Sequence, residues 1–484
     1  MAKPSALRSG LATGLSTALV SGTAALAGVI LAQEFGRGVK TDGLLAAYSV
    51  YLVLAIAASA SRLVVLPDLA RAAEQHLLGA ELRAYALALT LAAVPALVLA
   101  VAFADQFSHL LVANRTSQGV ATDALAWFVA AGLLQLYAAL AASTLAAKDD
   151  YGIAAFAYSV GSLIALGLFL ALAHSQGVIA LAWGVTASGF ASLALMLVGL
   201  ARKRVLGFGA ASGAVDRLGR ITRGAALPLS LQILFVISTR VASALGSGQA
   251  TSFVFAFLIA SALVAVTASS VALISSAPLT RRSVDAEQAA RHVVHSSWLS
   301  LAVVVAGSGV AALAGEPLFS RILGSAYGGD TGEELGFLIA YLSPWMVASV
   351  VLTLAFPLLF VLERPRVLIP LALIAPVAHV GLALAFRALF GLAGVVVALA
   401  LSTLAIVLVL VAALSLRSLW IVLTGIASAT AVLGILAGLA FVPPALFLSG
   451  FAATAVGLAL YCVLLAALRP RGLRRAWAYL HALH

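Results

Sequence analysis

Two arginines stand alone inside apolar runs of the chain, Arg62 and Arg240. A guanidinium is a planar fork of five donors that stays charged and fits a phosphate through paired hydrogen bonds. Each lies about one turn from the end of its run. The long stem therefore also allows the head to snorkel to the membrane surface. Gln232 and Ser238 share the run of Arg240 and are candidates to line a hydrophilic cavity; ordinary bonding between helices is the plainer role. A charged rim, Glu34, Arg37, Lys40 and Asp42, precedes the second run. Asp42 reads either as a helix N-cap, after Thr41, or as half of a gating ion pair with Arg37 or Lys40. His379, the one histidine deep in a run, reads as a packing histidine held by a hydrogen bond rather than as a proton relay. Glu316, Asp330, Glu333 and Glu334 surround a glycine-rich stretch that reads as a mobile loop. Enzyme chemistry has no foothold, since the sequence carries no phosphate-binding loop, no His-Glu-x-x-His and no paired carboxylates inside a run. No cofactor or metal site is expected. Cys462 is the only cysteine, so no disulfide can close within the chain, and it reads as a packing residue.

These residues sit in a chain of 484 residues that is 63% hydrophobic and only 9% charged. A soluble domain carries about 25% charged residues, so this composition cannot cover a water-exposed surface of that size. Disorder is excluded as well, because it needs low hydrophobicity. Fourteen apolar runs have spanning length: 11–33, 43–66, 84–104, 124–147, 152–173, 178–200, 225–245, 250–277, 292–315, 335–361, 366–389, 392–414, 418–441 and 445–468. They are apolar all round without alternation, which predicts helices and not barrel strands. Pro67, Pro278, Pro365, Pro443 and Pro444 are expected to mark helix ends. Pro95, Pro228, Pro357, Pro370 and Pro376 fall inside runs and predict bends.

The net charge of +11 is a topology signal, not a nucleic-acid footprint. With the N-terminus in the cytoplasm, twenty-one of the 28 Lys and Arg fall on the cytoplasmic side and five outside; Arg62 and Arg240 are the remaining two. That bias predicts cytoplasmic termini. The longest loop, 201–224, holds six basic residues and is expected to touch anionic phospholipid headgroups.

An internal repeat organises the runs. The second run ends Val64-Val65-Leu66-Pro67-Asp68 and the eighth ends Ser275-Ser276-Ala277-Pro278-Leu279. The turn at 147–151 likewise corresponds to that at 362–366. Six helices per half is an even number, so the repeat is parallel, and the substrate path is expected between the halves. The expected architecture is therefore an all-α polytopic membrane protein of two six-helix lobes, 1–200 and 225–414. The basic linker 201–224 joins them, and 415–484 holds helices 13 and 14 and a basic cytoplasmic tail.

The turn Phe35-Gly36-Arg37-Gly38-Val39-Lys40-Thr41-Asp42-Gly43-Leu44-Leu45 resembles the first outside turn of the MviN/MurJ-type lipid II flippases, F-G-x-G-x-x-T-D-A-F-F. Val65-Leu66-Pro67 and Leu181-Ala182-Trp183-Gly184-Val185-Thr186 fit the same family, as does the six-plus-six-plus-two layout. The resemblance implies a member of the multidrug/oligosaccharidyl-lipid/polysaccharide superfamily in a bacterial inner membrane. It further implies a monomer that moves a polyprenyl-linked glycan precursor outward by alternating access, with sodium or a proton as coupling ion. Arg62, Arg240, Gln232 and Ser238 would then contact the substrate, and Arg37, Lys40 and Asp42 would gate. The family carries cavity arginines in helices 1, 2 and 8. The corresponding stretches here, 24–31, 55–60 and 255–262, are apolar. A drug or metabolite antiporter of the same superfamily and a non-transporting scaffold are the alternatives. All 17 acids lie in loops or near helix ends, which disfavours the antiporter, since cation export needs an intramembrane carboxylate.

Overall fold

The computed structural model describes residues 6–206, 213–269, 285–361 and 367–483. Every regular element among them is a helix, because in hydrocarbon a helix pairs its backbone groups within its own segment. The chain divides into two compact units, Met1–Ala250 and Thr251–His484. The first holds α1 (Ala6–Phe35), α2 (Val39–Glu74), α3 (Leu78–Ala102), α4 (Ala104–Leu111), α5 (Arg115–Ala146), α6 (Gly152–Gln176), α7 (Ile179–Arg202) and α8 (Ala214–Ser243). At the junction α9 (Gln249–Val264) begins and runs into a π-helical turn, Ala265–Ser269. The second unit continues with α10 (Ala286–Leu323), α11 (Asp330–Tyr341), α12 (Ser343–Val361), α13 (Leu368–Leu414), α14 (Leu416–Phe447), α15 (Gly450–Leu468) and α16 (Arg471–Leu483). Twelve described helices are long and apolar enough to cross a membrane; thirteen result if α11 and α12, bent by 40° at Leu342, count as one span.

In the first unit, α2 packs along α5 and α8, α6 along α1 and α7, and α5 along α7. Small residues set the closest approaches. A Cβ at Gly43 would overlap the Ser117 carbonyl, and one at Gly132 would overlap Leu54, both between α2 and α5. In the second unit α10 is the hub, touching α11, α12, α14, α15 and α16. Phe441 of α14 wedges between Gly309 and Gly457, where a Cβ on either glycine would strike its ring. Large apolar side chains such as Phe190, Val377 and Ile435 face outward, as a lipid-solvated surface requires.

Several elements depart from the sequence pattern. Pro67 does not end its helix. α2 runs seven residues further, to Glu74, and Pro443 and Pro444 likewise lie inside α14. A proline removes one donor, and neighbouring helices let a membrane helix absorb that loss. Pro278 and Pro365 lie outside the described residues, as do the repeat segments 275–282 and 362–366. The glycine-rich stretch around 324–332 is built rather than mobile. Tyr327 is fully buried, Gly332 packs against Glu316, and Gly336 packs on the Ala311 carbonyl. Part of the basic tail folds as α16. Gly472 packs flat on Trp298, and Tyr479 sits against His292 and His295. Cys462 is exposed on α15 rather than packed.

α13 is interrupted once, at Gly391, with φ 60° and ψ −132°. L residues avoid that backbone conformation, and one placed there costs about 1–3 kcal/mol. Two arms meet at this point, joined across the hairpin by His379 Nδ1 and the Ser402 hydroxyl at 2.8 Å. His379 is fully buried and hydrogen-bonded, as a packing histidine should be. Gly391→Val should lower the thermal midpoint of the purified protein by several degrees. Gly381→Ala, where a Cβ meets open space, should leave it unchanged.

Candidate functional site

The candidate site is organised by the antiparallel pair α2 and α8. Gly224 of α8 lies so close to Val64 of α2 that no Cβ fits between them, which fixes the register. At the end of the pair beyond Val64, Asp68 of α2 is buried and answered from three sides. Arg220 of α8 reaches it at 2.8 Å, Arg71 at 2.5 Å, and the Tyr85 hydroxyl of α3 donates to it. Next to it Arg217 of α8 grips Glu81 of α3 in a two-pronged pair, 3.0 and 2.8 Å. Paired N–H···O bonds of this kind fix geometry as well as energy. Two of the six basic residues assigned to the linker and its headgroup contacts are therefore neutralised inside the protein. A third, Lys203, pairs with Asp150 at 2.7 Å. The linker's residues 207–212 lie outside the described residues.

At the opposite end of the pair, the turn between α8 and α9 is clasped by the rim that precedes α2. Asp42, buried, accepts the Gly248 backbone N–H at 2.6 Å. Arg37 donates through Nε to the Gly248 carbonyl at 2.9 Å. Gly248 has φ +80°, and a Cβ there would run into the Arg37 side chain. Asp42 is thus no N-cap. α2 begins at Val39 with Gly38 in the cap position, so Asp42 already lies in the first turn and turns outward to the clasp. Thr41 instead bonds back to the Gly36 carbonyl. Lys40 is exposed.

Arg62 does not snorkel. Its Nη2 donates to the Tyr158 hydroxyl of α6, and its guanidinium carbon lies 5.1 Å from the centre of the Tyr158 ring. Its Nε is buried and makes no hydrogen bond among the described residues. Arg62 and Val64 project from nearly opposite sides of α2, so the guanidinium faces α6 while Val64 faces α8. On that side α1 packs on α6 and hardly touches α2, so the Arg62–Tyr158 contact bridges the two packed groups. Tyr51 is eleven residues, about three turns, before Arg62 and therefore on the same face. It stacks with Tyr48 at 5.4 Å, and Phe128 of α5 completes the aromatic cluster.

Arg240 lies sixteen residues past Gly224, about 24 Å along α8. It is consequently at the opposite end of the α2–α8 pair from Arg62, and the two do not meet on one ligand. Between them, Gln232 Oε1 and the Ser230 hydroxyl are buried without a hydrogen-bond partner among the described residues, and Ser238 is fully buried. Asp68, Glu81, Tyr85, Arg217, Arg220, Tyr158 and Gly248 are the site residues that sequence reasoning missed. Asp68 carried a signal, an acid one residue after a helical proline and three before an arginine; Tyr158 carried none. Asp68→Ala leaves Arg220 and the Tyr85 hydroxyl unanswered and should cost about 2 kcal/mol of stability. A thermal melt checks this, with Arg71→Ala as the control, since it removes an exposed partner that contributes far less.

No family model matches the sequence, and no curated protein matches it by sequence either. Solved structures do match by fold. A lipid II flippase, MurJ, in an inward closed conformation superposes with a TM-score of 0.71 at 14% identity, covering 96% of this chain and 99% of that one. An inward-facing multidrug resistance transporter of the MATE family superposes at 0.65 with 15% identity, over 85% of this chain and 95% of the other. A transporter of the same superfamily from Pyrococcus furiosus, described by the reversed polarity of its binding pocket, superposes at 0.60 with 14% identity, over 84% and 94%. The chain therefore has the fold of the MOP-superfamily transporters.

Proposed function

We propose that the protein is a flippase that carries a polyprenyl-(pyro)phosphate-linked cell-envelope glycan precursor across the inner membrane of a bacterium by alternating access. The observation that carries this reading is Arg62, a guanidinium inside a membrane helix, held on Tyr158 with one N–H still unanswered. An intramembrane charge is costly, so it is kept where it meets an opposite charge. All acids of the chain lie in loops or near helix ends, so the ligand that fits is an anion, and phosphate suits the fork. A cation-exporting antiporter would need the opposite charge at this depth.

The two ends of the α2–α8 pair supply the gates in this reading. Arg37 and Asp42 close one end on Gly248, and Asp68 with Arg220 closes the other. Each closure is made of a few polar contacts, so one can break while the other holds. Lys40, exposed beside the clasp, would take part once the rim rearranges. Arg240, Gln232 and Ser238 would receive the headgroup in the second access state. An apolar groove of about 260 Å³ in the second unit, lined by Val351 of α12, Leu404 and Val411 of α13 and Leu423 and Ile426 of α14, offers a wall for a long polyprenyl tail.

Fourteen spans fit the described helices if the two arms of α13 count separately and α11 with α12 counts once. An even number of spans puts both termini on one side, read here as the cytoplasm; the reading keeps lobes at 1–200 and 225–414 plus two helices, although α8 packs on α2 within the first compact unit. Sodium or a proton would drive the cycle, and the protein would act as a monomer.

Two outcomes are expected. In proteoliposomes loaded with a fluorescent polyprenyl-diphosphate disaccharide, the purified protein should move the probe to the opposite leaflet. Arg62→Ala should slow that movement tenfold or more, the loss of a charged hydrogen bond, whereas Tyr158→Phe, which keeps the ring, should slow it less. Unchanged movement in an Arg62→Ala, Arg240→Ala double variant would sink the proposal. Depletion in cells that leaves the outer-leaflet glycan lipid unchanged would favour a scaffold. The second outcome concerns the clasp: Gly248→Ala should displace Arg37 and raise the labelling of a cysteine placed at Asn114 by a membrane-impermeant maleimide, in a Cys462→Ser background.

A further inference from the structure

We infer that one face of α2 is the sugar-binding wall of the proposed substrate site, and that it takes a headgroup of at least two sugar rings. The inference rests on the flippase reading, which puts the diphosphate on Arg62. Tyr48, Tyr51, Ala55, Ser59 and Arg62 follow one another at intervals of three or four residues, so they share one face of the helix. That face is turned away from α8, which packs on the opposite side at Val64. α5 covers an adjoining flank at Gly43 and Leu54. On the remaining side α6 reaches α2 through the Arg62–Tyr158 contact, and α1 hardly touches it. Ser59 is exposed and the other four are partly accessible, whereas Ala57, Ala58, Ala60 and Ser61 between and beside them are buried.

Two phenols stand at one end of this face and a guanidinium at the other. The small Ala55 and Ser59 lie between them, which leaves a saddle along the helix. From Tyr51 to Arg62 is eleven residues, about 16 Å. That is longer than a diphosphate with one sugar and leaves room for a second ring. The tyrosine end has the chemistry such a ring needs. Tyr48 and Tyr51 stack on each other at 5.4 Å, and Phe128 of α5 braces Tyr48 edge-on at the same distance. Neither phenol hydroxyl makes a hydrogen bond among the described residues. A tyrosine sunk in a protein ordinarily gives its hydroxyl a partner. A pyranose supplies one: its C–H face lies flat on an aromatic ring, and the hydroxyls around its edge reach the phenol oxygens. Ser59 bonds to the Ala55 carbonyl at 3.2 Å and keeps its own oxygen available as an acceptor between the two ends. By the charge distribution of the sequence, the Arg62 end is the cytoplasmic one. The sugars therefore point across the membrane while the diphosphate keeps to the leaflet that supplies it.

The test uses the purified full-length protein and three short-chain probes: farnesyl diphosphate alone, with one sugar, and with a disaccharide. Microscale thermophoresis reads the affinities. The disaccharide probe should bind about tenfold tighter than farnesyl diphosphate, and the monosaccharide probe should show little of that advantage. Tyr48→Leu with Tyr51→Leu should remove the advantage while farnesyl diphosphate binds as before, which also shows that the variant folds. Tyr48→Phe with Tyr51→Phe keeps both rings and should retain most of the advantage. Arg62→Gln should weaken all three probes alike. Equal binding of the three probes through Arg62 overturns the sugar wall and leaves the phosphate reading standing. So does a leucine pair that weakens every probe alike, which makes the tyrosines packing residues, or a phenylalanine pair that loses as much as the leucine pair. A monosaccharide probe that binds as tightly as the disaccharide overturns the two-ring headgroup. If no probe binds, or none responds to Arg62→Gln, the phosphate reading itself falls and takes this inference with it.

Discussion

Charge inside a bilayer has to be answered within the protein, and in the first unit the two ends of the α2–α8 pair are each tied by such an answer. Asp42 near the start of α2 meets a backbone N–H beyond the end of α8, and Asp68 near the end of α2 meets Arg220 near the start of α8. Between these points the two helices touch through Gly224 and Val64, without room for another methyl group. The pair is thus tied by polar contacts at both ends, with its tightest packing close to the Asp68 end. The close Gly224–Val64 contact fixes the register of the two helices independently of the polar contacts at their ends. Arg62, on the far side of α2 from α8, would move with the helix that both closures share.

Most of the span positions were legible in the sequence. The runs were uninterrupted and long, and a helix that must satisfy its backbone in hydrocarbon has few other options. What the pattern hid was where helices stop. Polar turns at both ends of α2 and α10 and at the start of α8 extend these helices past their apolar stretches, because the ion pairs sit on helical backbone rather than in loops. Composition alone cannot show that. α4 and α16 were missed for a different reason: both are too short to span, and α16 is half polar. Prolines misled in the opposite direction, since Pro67 is simply carried by a helix with neighbours.

The candidate site was legible in its charges and not in their partners. Arg62 was visible because a lone guanidinium in an apolar run needs a reason. Tyr158 was not, since a tyrosine 96 positions away differs in no way from the other tyrosines until the helices pack. The same limit applies to Asp42: residue type and position pointed to the end of a helix, and only the fold brings Gly248 to it. Six basic residues in one linker read as a single group in contact with anionic headgroups. The structure separates them by distance to the nearest acid, so that Arg217 and Arg220 hold the protein together while Arg202 and Arg204 face out.

The hairpin in α13 also makes its two arms depend on each other. One glycine separates its arms, and His379 and Ser402 sit twelve and eleven residues from it on either side. A lone histidine side chain would resist passage into lipid on its own arm, but its hydroxyl partner arrives at the same depth on the other. No polar loop exists to cross separately. The histidine's polarity is thus cancelled only when both arms are present, so neither arm is a self-sufficient apolar segment without the other.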